Sequence, residues 1–141
     1  LKPYIEEKRA IVLPFGLGDE VKEEPIVLDR LNAGSSTFQD SNRKILPHQT
    51  ETLKLKIETL DHLYEQGLIS KVSFIKADIE GYERKLLKGA SKLIKTFRPK
   101  LALCYYHLPD DFEVLRNIIE SFQLGYRFTL NNEVLFAWTK L

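Results

Sequence analysis

The sequence predicts an α/β fold: a mixed sheet with helices packed on its faces, ending in an antiparallel hairpin. Three observations carry this. Residues 72–77 and 100–106 are short, continuous apolar runs of the kind that form buried strands. Between them lies a long amphipathic pattern at helical spacing, so the two strands are expected to be neighbours joined by a helical crossover. The chain then closes with residues 126–130 and 133–138 around Asn131-Asn132, and asparagine tolerates the positive φ of a tight hairpin turn.

The remaining elements follow in order. Residues 1–9 read as the tail of a helix. Residues 10–15 read as a short buried strand, because Ile11, Val12 and Leu13 are consecutive and apolar. Gly16-Leu17-Gly18-Asp19-Glu20 reads as a turn, residues 25–28 as a short edge strand, and residues 32–42 as a loop rich in Gly, Ser, Asp and Asn. Residues 52–58 alternate strictly. Leu53, Leu55 and Ile57 face one way and Lys54, Lys56 and Glu58 the other, as in a half-buried strand. Thr59 or Asp61 is placed to cap a helix running to Gln66, which Gly67 stops. Residues 72–77 are expected as a central strand. A single helix is expected over residues 82–97, with Leu86, Leu87, Ala90, Leu93, Ile94 and Phe97 on one face. Gly89 inside it implies close packing on the sheet. Arg98-Pro99 ends that helix. Pro109-Asp110-Asp111 opens another through Phe122, and Gly125 stops it.

At 141 residues the chain fits one domain able to bury a core. A net charge of +1 and scattered basic residues argue against nucleic acid or an anionic membrane as partner. The densest basic group, Arg84, Lys85, Lys88, Lys92 and Lys95, reads as the solvated face of one helix. The single cysteine, Cys104, excludes an internal disulfide. It lies in an apolar strand, which suits an inert buried thiol and a reducing, cytoplasmic compartment. No apolar run reaches the ~20 residues of a membrane span, and no signal-peptide pattern is present. The sequence holds no methionine, even at position 1, so the chain is expected to begin downstream of its gene's start.

The chemistry concentrates in Ile75-Lys76-Ala77-Asp78-Ile79-Glu80-Gly81-Tyr82-Glu83. Here an apolar strand ends on a carboxylate, with two more acids and a glycine just beyond it. Ligands of open α/β sheets bind beyond the carboxyl ends of parallel strands. Asp78 stands where a general base would. Its ordinary pKa of ~3.9 makes it weak, and crowding by Glu80 or burial would raise it. The equal alternative is that Asp78 and Glu80 cap the following helix; Glu83, in its first turn, reads as structural. His107 ends the next strand, placed to share a cleft with Asp78, and histidine is the better proton acceptor as a residue type; the alternative is a surface histidine before a Pro turn. Tyr106 reads as a lining residue or as core. Gly81 either makes room for a ligand or supplies positive φ. Asp78 and Glu80 offer two oxygens to a hard cation. Histidine is a poor magnesium ligand, however, and only Asp110 and Asp111 stand in the next loop, so no metal is expected. His48 and His62 have no partners at metal spacing and read as exposed.

Over residues 72–109, the strings VSFIKADIEGYERKLLKGASKLI and RPKLALCYYHLPDD resemble the FkbM-type methyltransferases, which use S-adenosylmethionine. Three shorter pieces agree in order: Gly16-Leu17-Gly18-Asp19, Gly34-Ser35-Ser36 and Thr59-Leu60-Asp61. The resemblance implies a Rossmann-like class I methyltransferase sheet. It also implies O-methylation of a hydroxyl on a sugar, glycan, polyketide or related small molecule. For such a reaction Asp78 and His107, from their strand-end positions, are the catalytic candidates, and Asp78 is also a cofactor-side one. By family analogy Asp19 approaches the cofactor, with a plain turn residue the equal alternative. Glu80 and Tyr106 are the acceptor-side candidates, joined by Ser35 and Ser36, for which a mobile loop is the default reading. Such enzymes resemble one another in an opening strand with an Asp-x-Gly-x-x-x-Gly turn and a second strand ending in an acid. Neither is in this sequence, and Gly16-Leu17-Gly18 is too short to replace the turn. The chain is therefore expected to be the C-terminal part of a methyltransferase domain, with its first strands missing. An open sheet edge would then favour a homodimer. The competing expectation is a non-catalytic α/β binding module derived from such an enzyme.

Overall fold

The computed structural model describes residues 2–29, 37–38 and 50–140. The order of elements is α1 (Lys2–Glu6), β1 (Gly16–Leu17), β2 (Lys22–Asp29), β3 (Thr37–Phe38), β4 (Thr50–Glu58), α2 (Leu60–Glu65), β5 (Phe74–Ala77), α3 (Glu83–Lys88), α4 (Ser91–Phe97), β6 (Lys100–Cys104), α5 (Asp111–Ser121), β7 (Arg127–Asn131) and β8 (Val134–Trp138).

The strands form two sheets, ordered β1-β4-β2-β3 and β5-β6-β8-β7. In the first, β2 and β4 make a long antiparallel ladder from Lys22↔Ile57 to Asp29↔Thr50, and β1 runs parallel to the end of β4. In the second, β5 and β6 are parallel while β8 and β7 add on antiparallel, so the sheet is mixed as expected. The expected single sheet is thus divided. Strands join only where they lie about 4.8 Å apart, and among the described residues no ladder links β5 to β1 or β4. For the same reason β5 is an edge strand here and not a central one.

Three other expectations are revised. Residues 10–15 form no strand: Ile11 is 80% exposed and Val12 59%, because no described element lies over them. The apolar run was legible, but its burial needs a neighbour. Thr37 and Phe38, expected in a loop, pair with Val27 and Ile26; the rest of residues 32–42 lies outside the described residues. The helix of residues 82–97 is broken into α3 and α4 at Gly89. A Cβ on Gly89 would stand 1.9 Å from the Gly18 carbonyl oxygen and 3.1 Å from Thr59 Cβ. The glycine therefore serves contact with the β1 turn. Its own carbonyl accepts from Asp61 N–H at 2.9 Å.

Both proposed capping residues act, but on different helices. Thr59 Oγ1 accepts from His62 N–H at 2.9 Å and caps α2. Asp61 reaches across to α4, accepting from Lys92 N–H at 2.9 Å and Leu93 N–H at 2.8 Å. Ala90, at the start of α4, has no side chain able to do this. The alternation of β4 holds as strand geometry, but only its far end is covered: Ile57 is fully buried and Leu53 is exposed. The core gathers Leu86, Leu87, Leu93 and Ile94 from the crossover helices, Leu101 and Leu103 from β6, Leu115 and Ile119 from α5, and Leu135 from β8. Burial of such side chains contributes roughly 1.5–3 kcal/mol each. The turn of the final hairpin is Asn132-Glu133, one residue later than expected. Both residues have positive φ, of 45° and 62°.

Candidate active site at the ends of the parallel strands

Parallel pairing of Ala77 with Leu103 places the exits of β5 and β6 side by side. Asp78 leaves one strand, and Tyr105, Tyr106 and His107 leave the other. Between β5 and α3 the chain turns sharply: Glu80 and Gly81 both hold positive φ, of 56° and 92°. A Cβ on Gly81 would meet His107 Cβ at an ordinary 3.6 Å. Of the two explanations for this glycine, its φ is the operative one. The turn brings α3 back at once, and Glu83 in its first turn accepts from Ile79 N–H at 2.7 Å through Oε1.

The result is a cluster around one imidazole. His107 Nε2 lies 3.3 Å from Asp78 Oδ1 and 3.6 Å from Glu83 Oε1, and its Nδ1 lies 3.7 Å from Glu80 Oε2. The His107 side chain is 7% exposed. Tyr106 OH donates to Asp78 Oδ1 at 3.0 Å, and its ring centroid sits 4.1 Å from that of His107. Tyr106 is 50% exposed, so it lines the site and is not core. Tyr105 packs inward on Phe112 instead.

The electrostatics correct one expectation. Burial pushes the Asp78 carboxyl up, but hydrogen bonds from Tyr106, Cys104 and His107 and the charge of Lys76 together outweigh it. Asp78 is held below the usual carboxylate value, not raised. It stays ionised and is a weaker base than expected. On Glu83 burial prevails and pushes the carboxyl up, assisted by the nearby charge of Asp111. The hydrogen bond to Asp78, with burial, lifts the Tyr106 phenol to about 12. Burial, with the Asp78 charge, lifts the Cys104 thiol to about 11, which matches the inert thiol expected.

Other expected residues fall elsewhere. Asp19 lies in the exposed bend after β1, and among the described residues no hydrogen bond or ion pair joins it to the cluster. Ser35, Ser36 and His48 lie outside the described residues. His62, expected to be exposed, is only partly covered and bonds Glu58 Oε2 through Nδ1 at 2.6 Å. Asp110 and Asp111 point to Arg84 at 2.5 and 2.8 Å, tying α5 to α3. Of the basic helix face, Arg84 is thus engaged, Lys92 pairs with Glu65, and Lys85 lies over the Tyr82 ring. The reading from sequence missed Glu83 as a member of the site. A carboxylate in a first helical turn ordinarily faces water, and only its complete burial sets this one apart.

Comparison with known proteins bears on the fold and the family. No relative among the curated proteins matches the chain. The crystal structure of the methyltransferase FkbM from Methylobacillus flagellatus KT is similar, with a TM-score of 0.64 at 22% identity. The match covers 97% of this chain and 31% of that one, so the chain spans under a third of that protein's length. At this identity the likeness shows the fold. The family model described as the methyltransferase FkbM domain matches residues 2–128. The chain therefore belongs to the methyltransferase FkbM domain family.

Proposed function

We propose that the chain is the C-terminal part of an S-adenosylmethionine-dependent O-methyltransferase domain. Its acceptor would be a hydroxyl of a sugar, glycan, polyketide or related small molecule. The observation that carries this is the Asp78–His107 contact of 3.3 Å at the exits of two neighbouring parallel strands. The family implies the cofactor, but the described residues do not build a cradle for it. Asp19 stands exposed and apart from the cluster, and the Gly81 turn leaves ordinary van der Waals room and no tight backbone approach. The contribution of these residues is to the acceptor side.

A hydroxyl acceptor must lose its proton as it is methylated. Asp78, held ionised, orients the His107 ring through the 3.3 Å contact at Nε2. Tyr106, kept protonated, fixes Asp78 in turn. Near-complete burial of His107 limits competition from water. Positioning of this kind is worth up to ~7–11 kcal/mol of barrier, and a placed base adds roughly 10²–10⁴-fold.

The test is methyl transfer to a panel of hydroxyl acceptors, using the full reading frame that encodes the chain. His107→Ala is expected to lower kcat by about 10²–10⁴-fold with a smaller change in KM. Asp78→Asn is expected to lower kcat while leaving cofactor affinity nearly intact. Wild-type turnover in both variants would remove the cluster from the reaction. Absence of transfer by the wild-type protein would favour the non-catalytic binding module.

A further inference from the structure

The cluster has a second property that proton transfer does not use. One ligand atom each from Asp78, Glu83 and His107 lies within 4.8 Å of the others. The two separations at His107 Nε2 are 3.3 and 3.6 Å. Ligands about 2.0–2.2 Å from a tetrahedral zinc ion stand roughly 3.3–3.6 Å from one another. The two separations at His107 Nε2 are therefore those of ligands that share an ion.

An independent observation points the same way. Glu83 is fully buried, and its Oε2 has no hydrogen-bond partner among the described residues. A buried carboxylate oxygen left without a partner is costly. Its sister oxygen Oε1, the atom 3.6 Å from His107 Nε2, also accepts from Ile79 N–H. On the far side of the ring, Glu80 Oε2 stands 3.7 Å from His107 Nδ1, where a metal-bound histidine commonly finds an orienting carboxylate.

We propose that Asp78, Glu83 and His107 bind one first-row divalent cation, of the zinc or manganese class, leaving a coordination position toward the cleft. The donor set decides the class. An imidazole with two carboxylates suits these ions, whereas magnesium avoids nitrogen ligands. This reverses the expectation of no metal, which counted Asp110 and Asp111 as the only further acids and passed over Glu83. The inference rests on geometry and not on transfer activity. A bound ion would lower the pKa of a coordinated acceptor hydroxyl, whose proton would then pass to solvent water and not to the cluster.

Calorimetric titration of the 141-residue chain with Zn²⁺, and separately with Mn²⁺, tests it. One ion per chain is expected, with a rise in Tm. Asp78→Asn and Glu83→Gln should each weaken binding roughly tenfold or more, and His107→Ala should abolish it. Glu83→Gln keeps an oxygen for Ile79 N–H. Asp78→Asn alters an exposed side chain, so it remains informative if the buried variant fails to fold, as circular dichroism will tell. His62→Ala should leave binding unchanged, which separates the site from the Glu58–His62 pair. Absence of binding, binding unaffected by Asp78→Asn, or binding lost only in His62→Ala would overturn the proposal. Methyl transfer without ion binding sinks this inference and spares the functional reading; ion binding without transfer does the reverse.

Discussion

Three buried carboxylates, Glu58, Glu83 and Asp111, show how the surroundings of a side chain set its role. Asp111 is fully covered but satisfied, by Leu108 N–H at 2.8 Å and Arg84 Nε at 2.8 Å, and it is structural. Glu58 takes Lys56 Nζ at 2.7 Å and His62 Nδ1 at 2.6 Å. Those hydrogen bonds outweigh burial and hold its carboxyl below the usual value of 4.5. A depressed carboxylate contributes stability above its unfolded pKa, and that contribution is lost as pH falls through the folded one. Glu58→Gln should therefore lower unfolding free energy at neutral pH by about 1–3 kcal/mol. The gap to wild type should close on acidification below the usual carboxylate range. Urea denaturation at both pH values checks this; a gap that persists in acid would detach it from ionisation. At this scale the sequence disclosed residue types and spacing, which pointed to Asp78 and His107. It did not disclose burial, and burial is what distinguishes Glu83.

Among the elements, two turns carry the most information. The break between α3 and α4 exists because Gly89 must pass the Gly18 carbonyl at a distance no Cβ can tolerate. Gly89→Ala forces backbone to move. It should destabilise by about 1–3 kcal/mol or more, read as a lowered denaturant midpoint. An unchanged midpoint would show that the contact is dispensable. In the hairpin, Glu133 holds φ of 62°, which costs a side-chain-bearing residue roughly 1 kcal/mol. Glu133→Gly creates Asn-Gly, the pair that suits such a turn. It should raise Tm despite the added freedom of the unfolded chain. The hairpin was legible because its strands are apolar and asparagine marks the turn. The register slipped by one residue because Asn131 still pairs with Val134, a matter of strand pairing and not of local preference.

For the molecule as a whole, the division into two sheets leaves β5 at an edge, with Phe74 half exposed, and leaves Ile11, Val12 and Leu13 uncovered. An unpaired strand edge and a run of bare apolar side chains both favour association. The chain on its own is expected to self-associate with rising concentration in sedimentation velocity, and Val12→Asp should reduce this without lowering Tm. A monomer at every concentration would remove the homodimer from consideration. Among the described residues no helix is long and apolar enough to cross a membrane. The isolated chain is also expected to bind S-adenosylmethionine poorly, because its described residues supply no cradle; tight binding by calorimetry would contradict that.

The sequence by itself determined the α/β class, the parallel pair with its crossover, the terminal hairpin and the family. Each of these is written in local periodicity or in one contiguous motif, IKADIEGYE. Tertiary structure alone decided that the strands form two sheets, that Asp61 caps α4 and that Gly89 breaks a helix. It also decided that Glu83 turns inward to meet His107. The physical reason is common to all four. Each depends on what lies opposite a residue across the fold, and a linear pattern records which side chains are apolar or charged but not which groups they will face.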